Sequence, residues 1–147
     1  MGLSLTTSNM FKENKINVNK TLVELDSVDV GEGILTWNWD TYETETTLVT
    51  EVNTYVAEES EVFYLRSGEN VVSLTAFHKV PFIIDGEKHE LPISEVDIET
   101  PGLSVVTTEG INGCAVQDTE EHTDNTDVVT IKTEAGYYFS NNILICD

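Results

Sequence analysis

The stretch Pro81-Phe82-Ile83-Ile84-Asp85-Gly86-Glu87-Lys88-His89-Glu90-Leu91 carries the fold class. An apolar run, Phe82–Ile84, meets Asp85-Gly86 and then the mixed run Lys88–Leu91. Both central residues of a type I′ turn need positive φ, which Asp and Gly tolerate. The spacing therefore predicts a β-hairpin closed at Asp85-Gly86.

Outward from that hairpin the same grammar repeats. Upstream, short runs rich in Val and Thr occupy Ile16–Asn19, Thr21–Val30, Ile34–Trp39, Thr44–Val56, Glu61–Arg66 and Val71–His78. Downstream they occupy Val96–Glu99, Leu103–Thr107, Cys114–Gln117, Val128–Thr133 and Tyr137–Ile145. Gly31-Glu32-Gly33, Ser67-Gly68, Pro101-Gly102 and Asn112-Gly113 punctuate them. β-Branched side chains are stiff at χ1 and suit a pleated strand better than a helix. Strands at this spacing predict an all-β chain, an antiparallel β-sandwich or jelly-roll-like domain with little or no helix. Thr47–Glu59 also fits a helical face through Leu48, Val49, Val52, Tyr55 and Val56. Its many β-branched residues favour strand. The polar segment Asp118–Asp127 reads as a long loop projecting from the sheet.

The chain has 147 residues and a formal net charge of −20, with 39% hydrophobic residues, enough for one core. Such a charge repels phosphate backbones and anionic membranes, so no direct nucleic-acid or membrane partner is expected. The charge is uneven. Residues 1–20 carry Lys12, Lys15 and Lys20 against Glu13, while the remainder is strongly acidic. Residues 1–15 show neither strand nor helix period. They read as an extended N-terminal arm before a single acidic β domain over 16–147. Leu3, Leu5, Met10 and Phe11, with Lys12, Lys15 and Lys20, are the expected partner-binding residues on that arm. They would dock on a shell, a neighbouring subunit or another copy in a homo-oligomer. No signal-peptide run and no stretch of about 20 apolar residues is present. Met1-Gly2-Leu3-Ser4-Leu5-Thr6 matches a loose myristoylation pattern, and Asn19-Lys20-Thr21 a glycosylation sequon.

Motifs for chemistry are sparse. The chain has no Gly-x-Ser-x-Gly elbow, phosphate loop, dinucleotide fingerprint, His-Glu-x-x-His or Cys-x-x-Cys. His78, His89 and His122 are scattered, and Cys114 and Cys146 read as free thiols. A metal set from Cys114, Cys146 and His122 would need them to meet in the fold. Carboxylate pairs are uninformative among 27 acids. Arg66 is the single arginine, which disfavours substrates gripped by bidentate guanidinium contacts. Asp118, Glu120, Asp124 and Asp127 form a weak calcium possibility on the polar loop, since calcium takes several oxygen ligands. No cofactor is implied. Trp37 and Trp39 share a strand face with Leu35 and serve as core, as an interface, or as a sugar-stacking platform.

Taken together, the Thr/Val-rich β-body, the arm and the absence of catalytic motifs resemble accessory structural proteins of tailed bacteriophages. The resemblance implies a non-enzymatic capsid-decoration, head–tail or tail-associated component in a virion, or otherwise a cytoplasmic location. Two other functions fit the same composition: an acidic nucleic-acid mimic inhibiting a host enzyme, and a carbohydrate-binding module using Trp37 and Trp39.

Overall fold

The computed structural model describes residues 10–147, and its description excludes the side chains of 57–60 and 118–126. Thirteen strands follow one another: β1 (Met10–Phe11), β2 (Lys15–Val18), β3 (Thr21–Glu24), β4 (Gly33–Asn38), β5 (Glu43–Ser67), β6 (Asn70–Leu74), β7 (Lys79–Ile84), β8 (Glu87–Pro92), β9 (Ser104–Thr107), β10 (Gly110–Gly113), β11 (Ala115–Thr133), β12 (Tyr137–Ser140) and β13 (Ile143–Cys146). Two short 3-10 turns, Leu25–Ser27 and Ile93–Glu95, are the only helical pieces among the described residues. The expected all-β, antiparallel architecture stands.

The strands form two sheets. The first runs β11-β1-β6-β5-β4, and β11 also pairs with β5. The second runs β3-β2-β12-β13-β9-β7-β8, with β10 on β9. The main core lies between the sheets and includes Ile16, Ile34, Leu65, Leu74, Phe82, Val105, Tyr138, Ile143 and Ile145. The neighbours of several of these residues belong to a second core. Leu35, Trp37, Ile83, Val106, Phe139 and Leu144 pack on the opposite side. Successive strand residues point to opposite faces, so β4, β7, β9, β12 and β13 are buried on both. That explains why they read as continuous apolar runs rather than alternating ones.

The Asp85-Gly86 hairpin forms as expected, with φ of 51° and 77° at its two central residues. Ile84 pairs with Glu87 across it. A second such turn was not anticipated. Tyr137–Ile145, expected as one strand, is divided at Asn141-Asn142, where φ is 49° and 69°. Ser140 pairs with Ile143 across that turn. Asn tolerates the left-handed region because its short amide can bond locally. Here those amides tie distant elements together. Asn141 Nδ2 donates to the Val71 carbonyl at 2.9 Å, and Asn142 Nδ2 donates to Asn70 Oδ1 at 3.1 Å. Buried Asn14 extends the network, donating to the Ser73 carbonyl at 2.7 Å and accepting from the Ser73 amide at 2.9 Å.

Three further expectations are corrected. Val96–Glu99 is a turn, because Asp97 Oδ1 accepts the Glu99 N–H at 3.0 Å, an Asx turn that bends the chain. The polar segment Asp118–Asp127 is not a projecting loop. Its backbone lies within β11, a strand of 19 residues. β11 pairs with the 25-residue β5 from Ala115↔Arg66 to Thr133↔Val49, with irregularities at Asp118/His122 and Lys132/Thr133. The Thr47–Glu59 segment is accordingly strand, as its β-branched content indicated. The arm expected over 1–15 also changes: β1 and the start of β2 fall inside it and belong to the domain's own sheets.

Candidate functional site

The site is built between the turn that follows β6 and the end of β13. In β1, Met10 pairs with Leu74 at the end of β6. The next four residues, Thr75-Ala76-Phe77-His78, form a tight turn in which the His78 amide donates to the Thr75 carbonyl at 3.1 Å. The second 3-10 turn clamps it: the Ile93 amide donates to the His78 carbonyl at 2.9 Å, and the Ser94 amide to the Ala76 carbonyl at 3.1 Å. Thr75 and His78 are buried, 0% and 1% exposed. A buried imidazole needs a polar partner, and His78 has one. Its Nε2 lies 2.8 Å from the carbonyl oxygen of Cys146, at the end of β13. A carbonyl oxygen only accepts, so Nε2 carries the proton and donates.

The residues around that carbonyl are held in turn. The Cys146 thiol donates to Glu90 Oε1 at 3.5 Å. Burial, reinforced by the Glu90 charge, pushes this thiol well above the ordinary cysteine range, so it is a neutral donor. The Asp147 amide donates to the Gly136 carbonyl at 3.0 Å. One oxygen of the Asp147 carboxylate accepts the Thr133 amide at 2.9 Å. The result is a buried N–H aimed at the Cys146–Asp147 peptide carbonyl, with the Asp147 carboxylate fixed on the Thr133 amide. Such a donor stabilises negative charge on the oxygen when a nucleophile adds to the carbonyl carbon.

Reasoning from sequence missed this set. His78 and Cys146 are 68 positions apart, and neither lies in a recognisable metal or nucleophile motif. The available signal was a histidine in a short turn directly after an apolar strand, together with an apolar strand running into Cys146.

The residues singled out from sequence are placed elsewhere. Met10 and Phe11 are 0% and 3% exposed, inside the domain's own core rather than on a partner. Lys12 lies 3.8 Å from Asp26 and 3.6 Å from Asp127 of the same domain. Lys15 is exposed at the start of β2 and Lys20 in the turn between β2 and β3, and Leu3 and Leu5 lie outside the described residues. The side chains of Asp118, Glu120 and Asp124 also lie outside them. Among the described residues no cluster of His, Cys, Asp and Glu fits a metal ion. Cys114 and Cys146 are unpaired by disulfide, and burial raises the Cys114 pKa to about 12.

The tryptophans belong to the second core. Trp37 is 6% exposed and meets Phe139 edge-on at 6.4 Å and Tyr42 at 6.3 Å. Trp39 packs edge-on against Tyr137 at 5.6 Å, with Lys88 Nζ 4.8 Å from its ring. No flat sugar platform is formed, which removes the carbohydrate-binding reading. No helix of the described residues is long and apolar enough to cross a membrane.

The sequence matches no protein-family model and no curated protein. Solved structures are similar in fold. A DnaB intein from Synechocystis superposes with a TM-score of 0.72 at 15% identity, covering 95% of this chain and 98% of that one. A bacterial intein-like domain from Clostridium thermocellum gives 0.70 at 16% identity, covering 96% and 99%. The gp41-1 intein variant gives 0.69 at 14% identity, covering 96% and 100%. These neighbours overturn the expectation of a non-enzymatic virion component and lend no support to an acidic nucleic-acid mimic. What the chain shares with inteins is the fold, across nearly its whole length.

Proposed function

We propose that this domain processes its own polypeptide, acting on the peptide bond that follows Cys146. Inteins, the fold neighbours, catalyse protein splicing. One observation of this chain supports the same class of reaction here: the buried His78 Nε2–H lies 2.8 Å from the Cys146 carbonyl, in the turn that also follows the partner of β1. Positioning of this kind replaces an encounter between separate molecules and can supply several kcal/mol of the barrier.

The roles follow from the geometry. His78 polarises the carbonyl of Cys146 and stabilises the oxyanion formed when a hydroxyl, of water or of the chain, adds to it; collapse breaks the Cys146–Asp147 bond, and the Asp147 nitrogen leaves as the amine with the proton the hydroxyl gives up. Thr133 and Gly136 orient Asp147. The Cys146 thiol is held neutral and serves as a hydrogen-bond donor rather than a nucleophile.

The test is a fusion with one folded reporter before Met1 and another after Asp147. Intact-mass measurement over time reads both release and ligation of the reporters. Release or ligation that depends on His78 supports the reading. A fusion that stays whole for days at neutral pH contradicts it.

A further inference from the structure

We propose that Glu90 is a positioning residue for this site, orienting the Cys146 carbonyl toward His78 by holding the Cys146 side chain. The proposal rests on the self-processing reading and adds a residue that touches none of the reacting atoms.

Glu90 lies on β8, at the far end of the second sheet's path from β12 and β13. Backbone pairing joins β8 only to β7 in the described ladder. Side chains bring β8 back to the site. Glu90 Oε1 accepts the Cys146 thiol at 3.5 Å, while Oε2 lies 3.9 Å from Lys88 Nζ. Lys88 Nζ donates to the Tyr137 hydroxyl at 2.9 Å and sits 4.8 Å and 5.2 Å from the rings of Trp39 and Tyr137. Tyr137 in turn pairs with Cys146 across the β12–β13 ladder. The contacts close into a ring: Cys146, Glu90, Lys88, Tyr137 and back to Cys146. Its effect is geometric. Cys146 is the last residue of its strand, where backbone freedom is greatest. Fixing its thiol on one side leaves its carbonyl on the His78 side. Without Glu90 the Cys146 side chain is released, and its carbonyl is held only by His78, the Tyr137 ladder pair and the Asp147 contacts to Gly136 and Thr133, which leave the oxygen room to swing off the imidazole. A 1 Å misplacement of a reacting group can cost about a hundredfold in rate.

Two variants separate positioning from mere stability. Glu90→Gln keeps an acceptor oxygen for the thiol, and Glu90→Ala removes it. In the reporter fusion, Glu90→Ala is expected to slow processing at least about tenfold, with Glu90→Gln restoring most of the rate. Thermal unfolding is expected to change little for either, because Glu90 is partly exposed. A second readout does not depend on processing. Imidazole nitrogen NMR follows solvent exchange of the His78 Nε2–H, which is protected by the Cys146 carbonyl. Exchange is expected to quicken at least about tenfold in Glu90→Ala and to stay near wild type in Glu90→Gln. Unchanged exchange in Glu90→Ala overturns the proposal, whatever the fusion does. Quickened exchange in a fusion whose wild-type form never processes supports the positioning role while contradicting the self-processing reading.

Discussion

The second sheet and the β5–β11 ribbon are built from the same β-branched residues and face opposite situations. β12 and β13 are buried on both faces, with Tyr138 and Ile145 in one core and Phe139 and Leu144 in the other. The outer part of the ribbon has one partner strand and carries acid after acid. Over 51–61 and 118–127 the sequence has nine carboxylates, with no lysine or arginine. The first region is held by burial and places a histidine against a peptide carbonyl. The second is held chiefly by its own cross-strand ladder, which alone is marginally stable in water. The comparison teaches where the domain can tolerate change: chemistry and stability concentrate where strands are covered twice.

The largest expected contrast is in packing. Phe139→Ala empties a fully buried position between β4 and the second sheet, and costs about 3–5 kcal/mol. Thr54→Ala, on the exposed ribbon, is expected to stay within about 0.5 kcal/mol. Equilibrium urea unfolding measures both. Equal losses would mean that the ribbon is part of the core. Next comes the polar network joining the two sheets. Asn14→Ala leaves the Ser73 amide short of its acceptor and is expected to cost about 1–3 kcal/mol by the same measurement.

A smaller effect appears with pH. Burial raises the thiol of Cys114 from about 9 to about 12 in the folded state, and raises Cys146 and Tyr138 as well. The folded state therefore prefers these groups protonated. Their contribution is fully present below the unfolded values and is lost as pH climbs through the folded ones. Melting temperature is expected to hold to about pH 9 and fall progressively toward pH 12. Cys114→Ser should weaken the first part of that fall. The smallest effect concerns the ribbon: screening its like charges with salt from 10 to about 150 mM should raise melting by a few degrees at most.

The same contrast explains what the sequence disclosed. Asp85-Gly86 could be read because its residues demand positive φ. Asn141-Asn142 was hidden inside the run Tyr137–Ile145, because burial on both faces removes the alternation that marks a strand's limits. Asp118–Asp127 looked like a loop because acids avoid buried strands, yet its backbone belongs to β11 and pairs with β5. Met10 and Phe11 looked like a docking arm because a strand of two residues has no period to detect. The site was the least legible part. It depends on His78, Glu90 and Cys146 being gathered from three strands or turns. A hydrogen bond spanning 68 positions leaves no local pattern. Trp37 and Trp39 stayed open between core, interface and sugar platform, because a strand face shared with Leu35 does not say what covers it; their packing in the second core is read only from the structure.

The most direct measurement pairs the two regions through their histidines. Reporter fusions carrying His78→Ala, in the buried turn, or His122→Ala, in β11 of the ribbon, are followed by intact mass beside the wild-type fusion. Processing by the wild type and the His122 variant at similar rates, with the His78 variant slowed at least about a hundredfold, is the expected result. Equal rates for the His78 variant and the wild type, or no processing by any of the three, would contradict a self-processing site at His78.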